Sequence, residues 1–277
     1  MLKTLRYILV IFLAVGYNTK LFAVGISNED KNEILLLSGS NNHDWQKTTP
    51  LLARILTESD HFNVIITNQP DTLVYNDLTK FDVIVSNWNS WPDNDLLWPE
   101  KAQDGLLRYL KEGGGLVFFH SSTSVFYLWP EFKMISTGAW VENTWHEAPG
   151  IIKMEIVNQD HYITKGIADF YIFDELWIDA EQNEEFEILG YAFNTESSGR
   201  GLEKQPAIFV SEYGNGRIFH TILGHDIRAM NNTGFKTLIL RGTEWAAKSE
   251  VTIVVPEELN ISNTSKTTGL FLIKNDY

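Results

Sequence analysis

Three histidines in this chain each follow a short segment that is typical of a strand in a buried sheet. His43 stands six residues after the apolar run at 34–37, His120 directly follows the run at 116–119, and His225 follows a third segment after one glycine. Imidazole changes its charge close to neutral pH and is also a common metal ligand. The positions of these histidines therefore indicate acid–base or metal chemistry at the ends of strands.

The elements that must position these histidines are the strand-like segments themselves. They are mostly apolar over their length, as expected for parallel strands that are covered on both faces. A further run of this kind at 82–86 is followed by Asn87. Open α/β sheets bind ligands at the carboxyl ends of such strands. We therefore expect Asn87 and the three histidines to face one common rim.

The side chains of this rim suggest separate roles in catalysis and in binding. His120 and His225 are the candidates for proton transfer, and the carboxylates of Glu175 and Asp226 would orient them or act as the acid. The residues predicted to bind substrate are polar or aromatic: His43, Trp45, Asn87, Trp88, Ser121, Trp145 and His146. The histidines at positions 61, 161 and 220 are interpreted as surface, loop and core residues.

Three kinds of chemistry are open to these side chains. A histidine could abstract a proton beside the ketone of an oxidised glycoside, with loss of the aglycone, or isomerise a sugar. Two carboxylates could hydrolyse a glycoside directly, which requires a separation of roughly 5–10 Å. A third possibility is a divalent metal such as zinc, with no short ligand spacing of the HExxH kind in the sequence. Its candidate ligands are His43, His120, His146 and His225.

The charge and the aromatic content of the chain narrow the class of ligand. The net charge of −14 over 277 residues argues against nucleic acid and anionic lipid as partners. Aromatic residues make up 13% of the chain, and six of the nine tryptophans lie between positions 88 and 145. Tryptophan offers a flat apolar face and one N–H donor, which suits the C–H faces of sugar rings. We therefore expect an oligosaccharide or a sugar derivative as the ligand.

The N-terminus is predicted to be a signal peptide over residues 1–23. Lys3 and Arg6 precede an apolar stretch that is too short to span a bilayer, and Ala23 ends a plausible cleavage site. The chain has no cysteine, which excludes a lipid-anchored lipoprotein, disulfides and thiol catalysis. These features predict an exported protein, periplasmic or secreted, with no membrane span in the mature chain.

The rest of the chain is predicted to form one α/β domain over residues 24–257, followed by a weakly ordered tail over 258–277. Strand-like runs alternate with helical patterns at 47–58 and 99–112, which predicts a mainly parallel sheet. A last helix is predicted over 233–247.

The second half of this domain gives weaker signals. Strands are predicted over 151–157, 187–191 and 206–212, and the turn sequence at 214–216 predicts a hairpin. Residues 121–185 contain many aromatic and polar side chains, and we expect them to elaborate the rim mainly with loops.

Several motifs of the chain resemble those of a known family. They are, in chain order, HDW, GGGLVFFHSS, HYITKGIADFYIFDELW, YGNGRIFHTILGHD and RGTEWAA. Together they resemble the ThuA-like (trehalose-utilisation) family over about residues 33–257. The resemblance implies the flavodoxin-like, doubly wound α/β fold of class I glutamine amidotransferases and a role in carbohydrate catabolism.

The same resemblance excludes one activity. Class I glutamine amidotransferases carry a nucleophilic cysteine at the turn where His120 stands here, and their catalytic histidine corresponds to His225. Because this chain has no cysteine, amide hydrolysis through a thioester is impossible. A nucleophilic serine at 121 or 122 stays open, but the Gly-x-Ser-x-Gly elbow is absent.

Two functions of different classes are consistent with these observations. The first is an exported enzyme that acts on a glycoside or a keto sugar through histidine and carboxylate acid–base chemistry, as a glycoside hydrolase, a lyase or a sugar isomerase. The alternative is a non-catalytic carbohydrate-binding module on the same scaffold.

Overall fold

The computed structural model describes residues 31–93, 95–183 and 185–264, so the predicted signal peptide lies outside the described residues. The strands of the described part are β1 (Asn32–Leu37), β2 (Phe62–Thr67), β3 (Val83–Ser86), β4 (Gly115–Phe119), β5 (Trp145–His146), β6 (Gly150–Ile156), β7 (Phe170–Asp174), β8 (Trp177–Ile178), β9 (Glu187–Asn194), β10 (Gln205–Tyr213) and β11 (Gly216–Thr221). The α-helices are α1 (Trp45–Glu58), α2 (Tyr75–Leu78), α3 (Glu100–Lys111), α4 (Pro130–Ile135), α5 (Ile227–Met230), α6 (Thr233–Lys248) and α7 (Ile261–Thr264).

The main sheet has two halves with different pairing. Its strand order is β2-β1-β3-β4-β11-β10-β9-β6-β7. The first five strands pair in parallel, in the order that is typical of flavodoxin-like folds. The other four extend the sheet in antiparallel fashion, because short connections rather than crossover helices join them. The predicted doubly wound α/β fold is confirmed, and its parallel pairing is concentrated in the first half.

Helices cover both faces of the parallel half. Successive side chains of a strand point to opposite faces. Ile34 and Leu36 of β1 accordingly join a core beneath α1 and α6, while Leu35 and Leu37 join a second core beneath α3 and α4. Since both faces are covered, the carboxyl edge of the parallel strands is where a ligand can approach.

The predicted long helices are confirmed to within two residues at each end. The helix predicted over 47–58 is α1, that over 99–112 is α3, and that over 233–247 is α6. The start of α6 is fixed by Asn232, whose side chain accepts hydrogen bonds from the backbone N–H groups of Gly234 and Phe235.

The stretch 121–185 is more regular than expected. It contains α4, the edge strand β7 and a two-stranded ladder in which β5 pairs with β8. Buried and partly exposed residues alternate along β7, as in a strand whose two faces have different surroundings. The short ladder places His146 opposite Trp177, beside the end of β7.

The end of the described chain packs against the domain. Leu259 is buried, its carbonyl accepts a hydrogen bond of 2.8 Å from the N–H of Ala168, and the N–H of Ile261 donates to the carbonyl of Gly166 over 3.0 Å. The described part of the predicted tail, 258–264, is therefore held in place, and residues 265–277 lie outside the described residues. Within the described ranges, no helix is both long enough and apolar enough to cross a bilayer.

Candidate functional site

Four side chains meet at the carboxyl edge of the parallel strands. The Nε2 atom of His120 lies 3.2 Å from Nε2 of His43 and 3.3 Å from Nδ1 of His225. The Oε2 atom of Glu175 lies 3.5 Å from Nε2 of His120 and 3.6 Å from Nδ1 of His225. The predicted convergence of the three histidines is confirmed, and Glu175 joins them from the end of β7. We call these four residues the His–Glu centre.

Hydrogen bonds on the outer side of two rings fix which nitrogen faces the centre. Nδ1 of His120 lies 2.9 Å from the carbonyl oxygen of Ile222. Nδ1 of His43 lies 3.1 Å from Oδ1 of Asn41 and 3.2 Å from Oδ1 of Asn42. Both Nδ1 atoms must therefore carry the proton, and each neutral ring presents the lone pair of its Nε2 inward. Two lone pairs that face each other repel unless a cation or an added proton lies between them.

The side chain of Asn41 orients His43 and Ser121 through hydrogen bonds. Its Oδ1 accepts hydrogen bonds from the backbone N–H of His43 over 2.9 Å and from Oγ of Ser121 over 3.1 Å. Its Nδ2 donates to Oδ1 of Asn87 over 3.3 Å. Because these bonds determine which end of the amide points at His43, they also fix the tautomer of that ring.

The backbone at His120 adopts an unusual conformation. Its φ angle is +42°, in the left-handed region that non-glycine residues seldom occupy. The residue opens the 3-10 turn His120–Thr123 directly after β4. Oγ of Ser122 closes this turn, accepting from the N–H of Phe119 over 3.0 Å. Such strain persists where the surrounding structure imposes it, and it is common at functional sites.

The loop that carries His225 is held by Asp174. One carboxylate oxygen of Asp174 accepts from the N–H of Gly224 over 2.7 Å, and the other accepts from the N–H of His225 over 3.1 Å. Gly224 has a φ of +109°, and a Cβ atom there would lie 2.6 Å from the ring of Phe235. Burial raises the pKa of Asp174. Asp174 therefore positions the loop, while the adjacent Glu175 faces the centre.

The charges of the centre depend on its burial and its close packing. Burial, together with the neighbouring His120 and His225, lowers the pKa of His43 to about 3. Burial favours a higher pKa for Glu175, but its contacts with the rings of His120 and His225, which become attractive ion pairs when those rings are protonated, outweigh it and hold that pKa below its usual range. The hydrogen bond to Glu175 in turn raises the pKa of His225. The centre thus combines an anionic carboxylate with at least one imidazole that is neutral.

His146 lies beside the centre rather than in it. Its Nδ1 is 3.0 Å from Oε1 of Glu175 and 3.0 Å from the carbonyl oxygen of Glu147, and its side chain is 43% exposed. Among the described residues, the group able to share one metal ion has its ligand atoms within 4.8 Å of one another and consists of His43, His120, Glu175 and His225. Three of the four candidate histidines thus belong to this group, and its fourth member is Glu175 rather than His146.

The donor set and its spacing fit a first-row divalent metal ion. Imidazole nitrogen with one carboxylate oxygen suits zinc, iron, nickel and manganese. Two nitrogens that each lie about 2.0–2.1 Å from a tetrahedral zinc ion are about 3.3–3.4 Å apart. The nitrogen–nitrogen distances of 3.2 and 3.3 Å match this value.

Three predicted site residues have supporting positions instead. Asn87 is 3% exposed, and its Nδ2 donates to the hydroxyls of Thr48 and Thr49. Ser121 is also buried and bonds Asn41. Asp226 caps the start of α5 through the N–H groups of residues 228 and 229. The polar groups of Asn87 and Ser121 therefore bond the protein, their contact with substrate stays a prediction, and Asp226 acts as a helix cap.

The tryptophans divide between the core and the rim. Trp88 is only 7% exposed and stacks on Phe126 at a centroid distance of 5.6 Å, so its ring belongs to the core. Trp45, at the start of α1, is half-buried. Trp145 is half-buried too, and the guanidinium of Arg200 lies 5.9 Å from the centre of its ring.

Two further tryptophans beside the centre were not among the predicted site residues. The ring of Trp177 lies 5.0 Å from the ring of His120. Trp140 packs on Trp177 at 5.1 Å and on His146 at 5.6 Å. Trp177 belongs to the family-like motif that ends in DELW, which is a signal for it. Trp140 lies in a loop without periodicity, so no sequence pattern identifies it.

Comparison with known proteins agrees with this architecture. The family model ThuA, described as trehalose utilisation, matches residues 33–246. A ThuA-like protein from Parabacteroides merdae is similar in structure, with 29% identity, a TM-score of 0.71, and coverage of 83% of this chain and 95% of that chain. A ThuA-like protein from Bacteroides uniformis has 20% identity and a TM-score of 0.60, covering 83% of this chain and 98% of that one.

A more distant structure shares the fold alone. A β-galactosidase from Rahnella sp. R3 has 14% identity and a TM-score of 0.52, with coverage of 82% of this chain and 33% of that chain. No curated protein matches the chain. Since the family model covers most of the sequence, the chain belongs to the ThuA family, whose description is trehalose utilisation.

Proposed function

We propose that this chain is a carbohydrate-active enzyme with a divalent metal ion in the His–Glu centre. The observation that carries the proposal is the inward-facing pair of Nε2 atoms of His43 and His120, 3.2 Å apart. Both rings already donate through Nδ1, so in their neutral forms neither can donate to the other. These lone pairs would bind a divalent cation, and the carboxylate of Glu175 would lower the charge of the complex.

The proposed substrate is a glycoside that has been oxidised to a keto sugar. The family description concerns the use of a sugar, and the partly exposed rings of Trp140 and Trp145 offer apolar faces near the centre. His43, His120, Glu175 and His225 would hold the ion, which would act as a Lewis acid on an oxygen atom of the substrate. The ketone oxygen of a keto sugar is suited to this role.

The proposed reaction is an elimination that releases the aglycone. The C–H bond on the carbon that lies between the ketone carbon and the anomeric carbon breaks. A C=C bond forms from that carbon to the anomeric carbon, and the bond from the anomeric carbon to the aglycone oxygen breaks. A divalent ion in the centre would polarise the ketone oxygen and so acidify this C–H bond. The proton passes to a side chain, the leaving oxygen takes a proton from solvent, and nothing is oxidised or reduced.

His146 is the residue that we assign to proton transfer. It contacts Glu175 and is 43% exposed, so it can exchange protons with both substrate and solvent. His120 and His225 then serve as ligands rather than as proton-transfer groups. If the centre works without metal, those two histidines take the proton-transfer roles that the sequence suggests.

The experiment compares para-nitrophenyl glucoside with its 3-keto derivative. We expect nitrophenol release from the keto sugar by protein loaded with zinc or manganese, and at least a hundredfold slower release after chelation or in His120→Asn. His61→Gln, which changes a histidine outside the centre, should keep the wild-type rate. Release from the unoxidised glucoside without metal would instead support direct hydrolysis. Sugar binding without turnover of either compound would support the non-catalytic binding module.

The proposed location is outside the cytoplasm. The support is the basic and apolar N-terminal segment that ends at Ala23. The test is to express the full chain in a bacterial host and to sequence the N-terminus of the protein from each cell fraction. We expect a periplasmic or secreted protein that begins near Val24. An intact N-terminus in the cytoplasmic fraction would contradict export.

A further inference from the structure

We propose that a cavity beside the His–Glu centre binds a second sugar ring, the aglycone of the substrate. The cavity has a volume of about 290 Å³, and the residues that line it include Thr123, Tyr127, Trp140, Glu142 and Asn143. This inference rests on the proposed function, because it extends the substrate from one ring at the centre to a glycoside of at least two rings.

Two chain segments connect the cavity to the centre. Thr123 lines the cavity and is the last residue of the turn that begins with His120. Trp140 lines it as well, and its ring packs on Trp177, which packs on His120. Trp140 also packs on His146. The centre and the cavity therefore share Trp140 and the turn 120–123 as neighbouring walls.

The walls of the cavity have the mixed chemistry that a sugar ring requires. The rings of Tyr127 and Trp140 supply apolar surface, while the exposed side chains of Glu142 and Asn143 supply hydrogen-bonding groups. Thr123 is 1% exposed, and its hydroxyl has no hydrogen-bond partner among the described residues. A buried hydroxyl of this kind is a potential partner for a hydroxyl-rich ligand.

A second, larger cavity does not compete for this role. It measures about 540 Å³ and extends to Glu212 and Gly214, at the far end of β10. It shares Lys133, Ser136 and Glu181 with the nearer cavity, but neither Thr123 nor Trp140, which connect the nearer cavity to the centre, lines it. The second ring of a substrate held at the centre therefore reaches the nearer cavity first.

The test measures sugar binding by the metal-loaded protein in titration calorimetry. The probes are trehalose, maltose, cellobiose and lactose, each compared with glucose and galactose. We expect at least one disaccharide to bind tighter than its monosaccharides by about tenfold or more. Glu142→Gln and Trp140→Ala should each remove most of that preference, because a hydrogen bond to a charged group or an aromatic contact is lost.

Matched controls separate this inference from the proposed function. Glu212→Gln makes the same chemical change in the farther cavity and should leave the preference unchanged. Metal affinity, measured on every variant, should equal that of the wild type. The second-ring site is contradicted if no disaccharide is preferred, or if Glu142→Gln and Trp140→Ala leave the preference intact. Neither result bears on whether the centre binds metal or releases nitrophenol.

Discussion

Two buried polar clusters of this molecule satisfy their hydrogen bonds in opposite ways. In the cluster on α6, the guanidinium of Arg241 donates to the backbone carbonyls of residues 162, 163, 165 and 253. The carboxylate of Glu244 accepts from the N–H groups of Thr252 and Ile253 and pairs with Lys248. Every one of these donors meets an acceptor. In the His–Glu centre, by contrast, acceptors face one another.

The difference shows which cluster serves stability and which serves function. The α6 cluster ties the segment after the last long helix to the loop at 162–165, and nothing remains for a ligand to satisfy. The His–Glu centre combines inward lone pairs with a strained backbone at His120, an arrangement that costs free energy in the absence of a ligand. A ligand that binds these lone pairs would offset this unfavourable free energy.

The largest expected effect is on zinc affinity, when the glutamate of each cluster is replaced by glutamine. Glu175→Gln should weaken the affinity for zinc by more than about a hundredfold, because loss of a ligand exceeds the 10–100-fold cost of losing an outer partner. Glu244→Gln should leave zinc affinity unchanged. Competition with a chelating dye measures both values. Equal zinc affinities in the two variants would erase the distinction between the clusters.

The free energy of unfolding should respond in the reverse order, with the larger loss for a substitution at Glu244 and the smaller loss for one at Glu175. Glu244→Ala should lower the free energy of unfolding by about 3 kcal/mol, since it leaves buried N–H groups without an acceptor. Glu175→Gln in metal-free protein should also lower it, but by less, since only the contacts of the carboxylate with His120 and His225 are lost and no backbone N–H group is left without an acceptor. Urea denaturation of both variants checks this. A larger loss in Glu175→Gln would show that the centre stabilises the fold.

The outer hydrogen bonds of the centre should matter less than its ligands. Asn41→Ala removes the acceptor for Nδ1 of His43 and should weaken zinc binding about 10–100-fold. Asn63→Ala is a suitable control, because Asn63 bonds Glu33 at the far end of the sheet. The same dye competition measures both variants, and an unchanged affinity in Asn41→Ala would rule out this orienting role.

The contribution of the α6 cluster to the stability of the fold should depend on pH. Burial favours a higher pKa for Glu244, but its hydrogen bonds from Thr252 and Ile253 prevail and lower that pKa in the folded protein. The stabilisation from its carboxylate is therefore complete above the unfolded pKa of about 4.3 and is lost as the pH falls through the folded value. The stability difference between wild type and Glu244→Gln should shrink from pH 7 to pH 3. A constant difference over this range would contradict the assignment.

The smallest effect is expected at Asp226, which lies next to the centre in sequence. Asp226→Ala removes the cap of α5 and should destabilise the protein by about 1 kcal/mol. Zinc affinity should stay at the wild-type value. A large loss of zinc affinity or of turnover would restore the catalytic role that the sequence suggests for this carboxylate.

The sequence predicts the convergence of histidines because short loops follow parallel strands. A buried apolar run must lie inside the sheet, so the residues after it emerge at one edge, as His120 and His225 do. The same rule does not say which way each side chain turns. Asn87 and Trp88 follow β3 at that edge, yet both turn inward, toward Thr48 and Phe126.

The sequence does not predict the exact set of candidate metal ligands, and the reason is different. Glu175 directly follows β7, which lies at the opposite edge of the sheet from β2, and no local spacing relates it to His43. Whether Glu175 or His146 completes the set depends on the path of the loops between β4 and β9. Trp140 and Asn41 are also placed by loop conformation, for which periodicity gives no signal.

The most direct test of the central claim is anomalous diffraction from crystals grown with zinc. The account predicts one strong peak about 2.0–2.2 Å from Nε2 of His43, Nε2 of His120, Nδ1 of His225 and Oε2 of Glu175. A map with no peak among these atoms, while zinc is bound elsewhere or not at all, would contradict it.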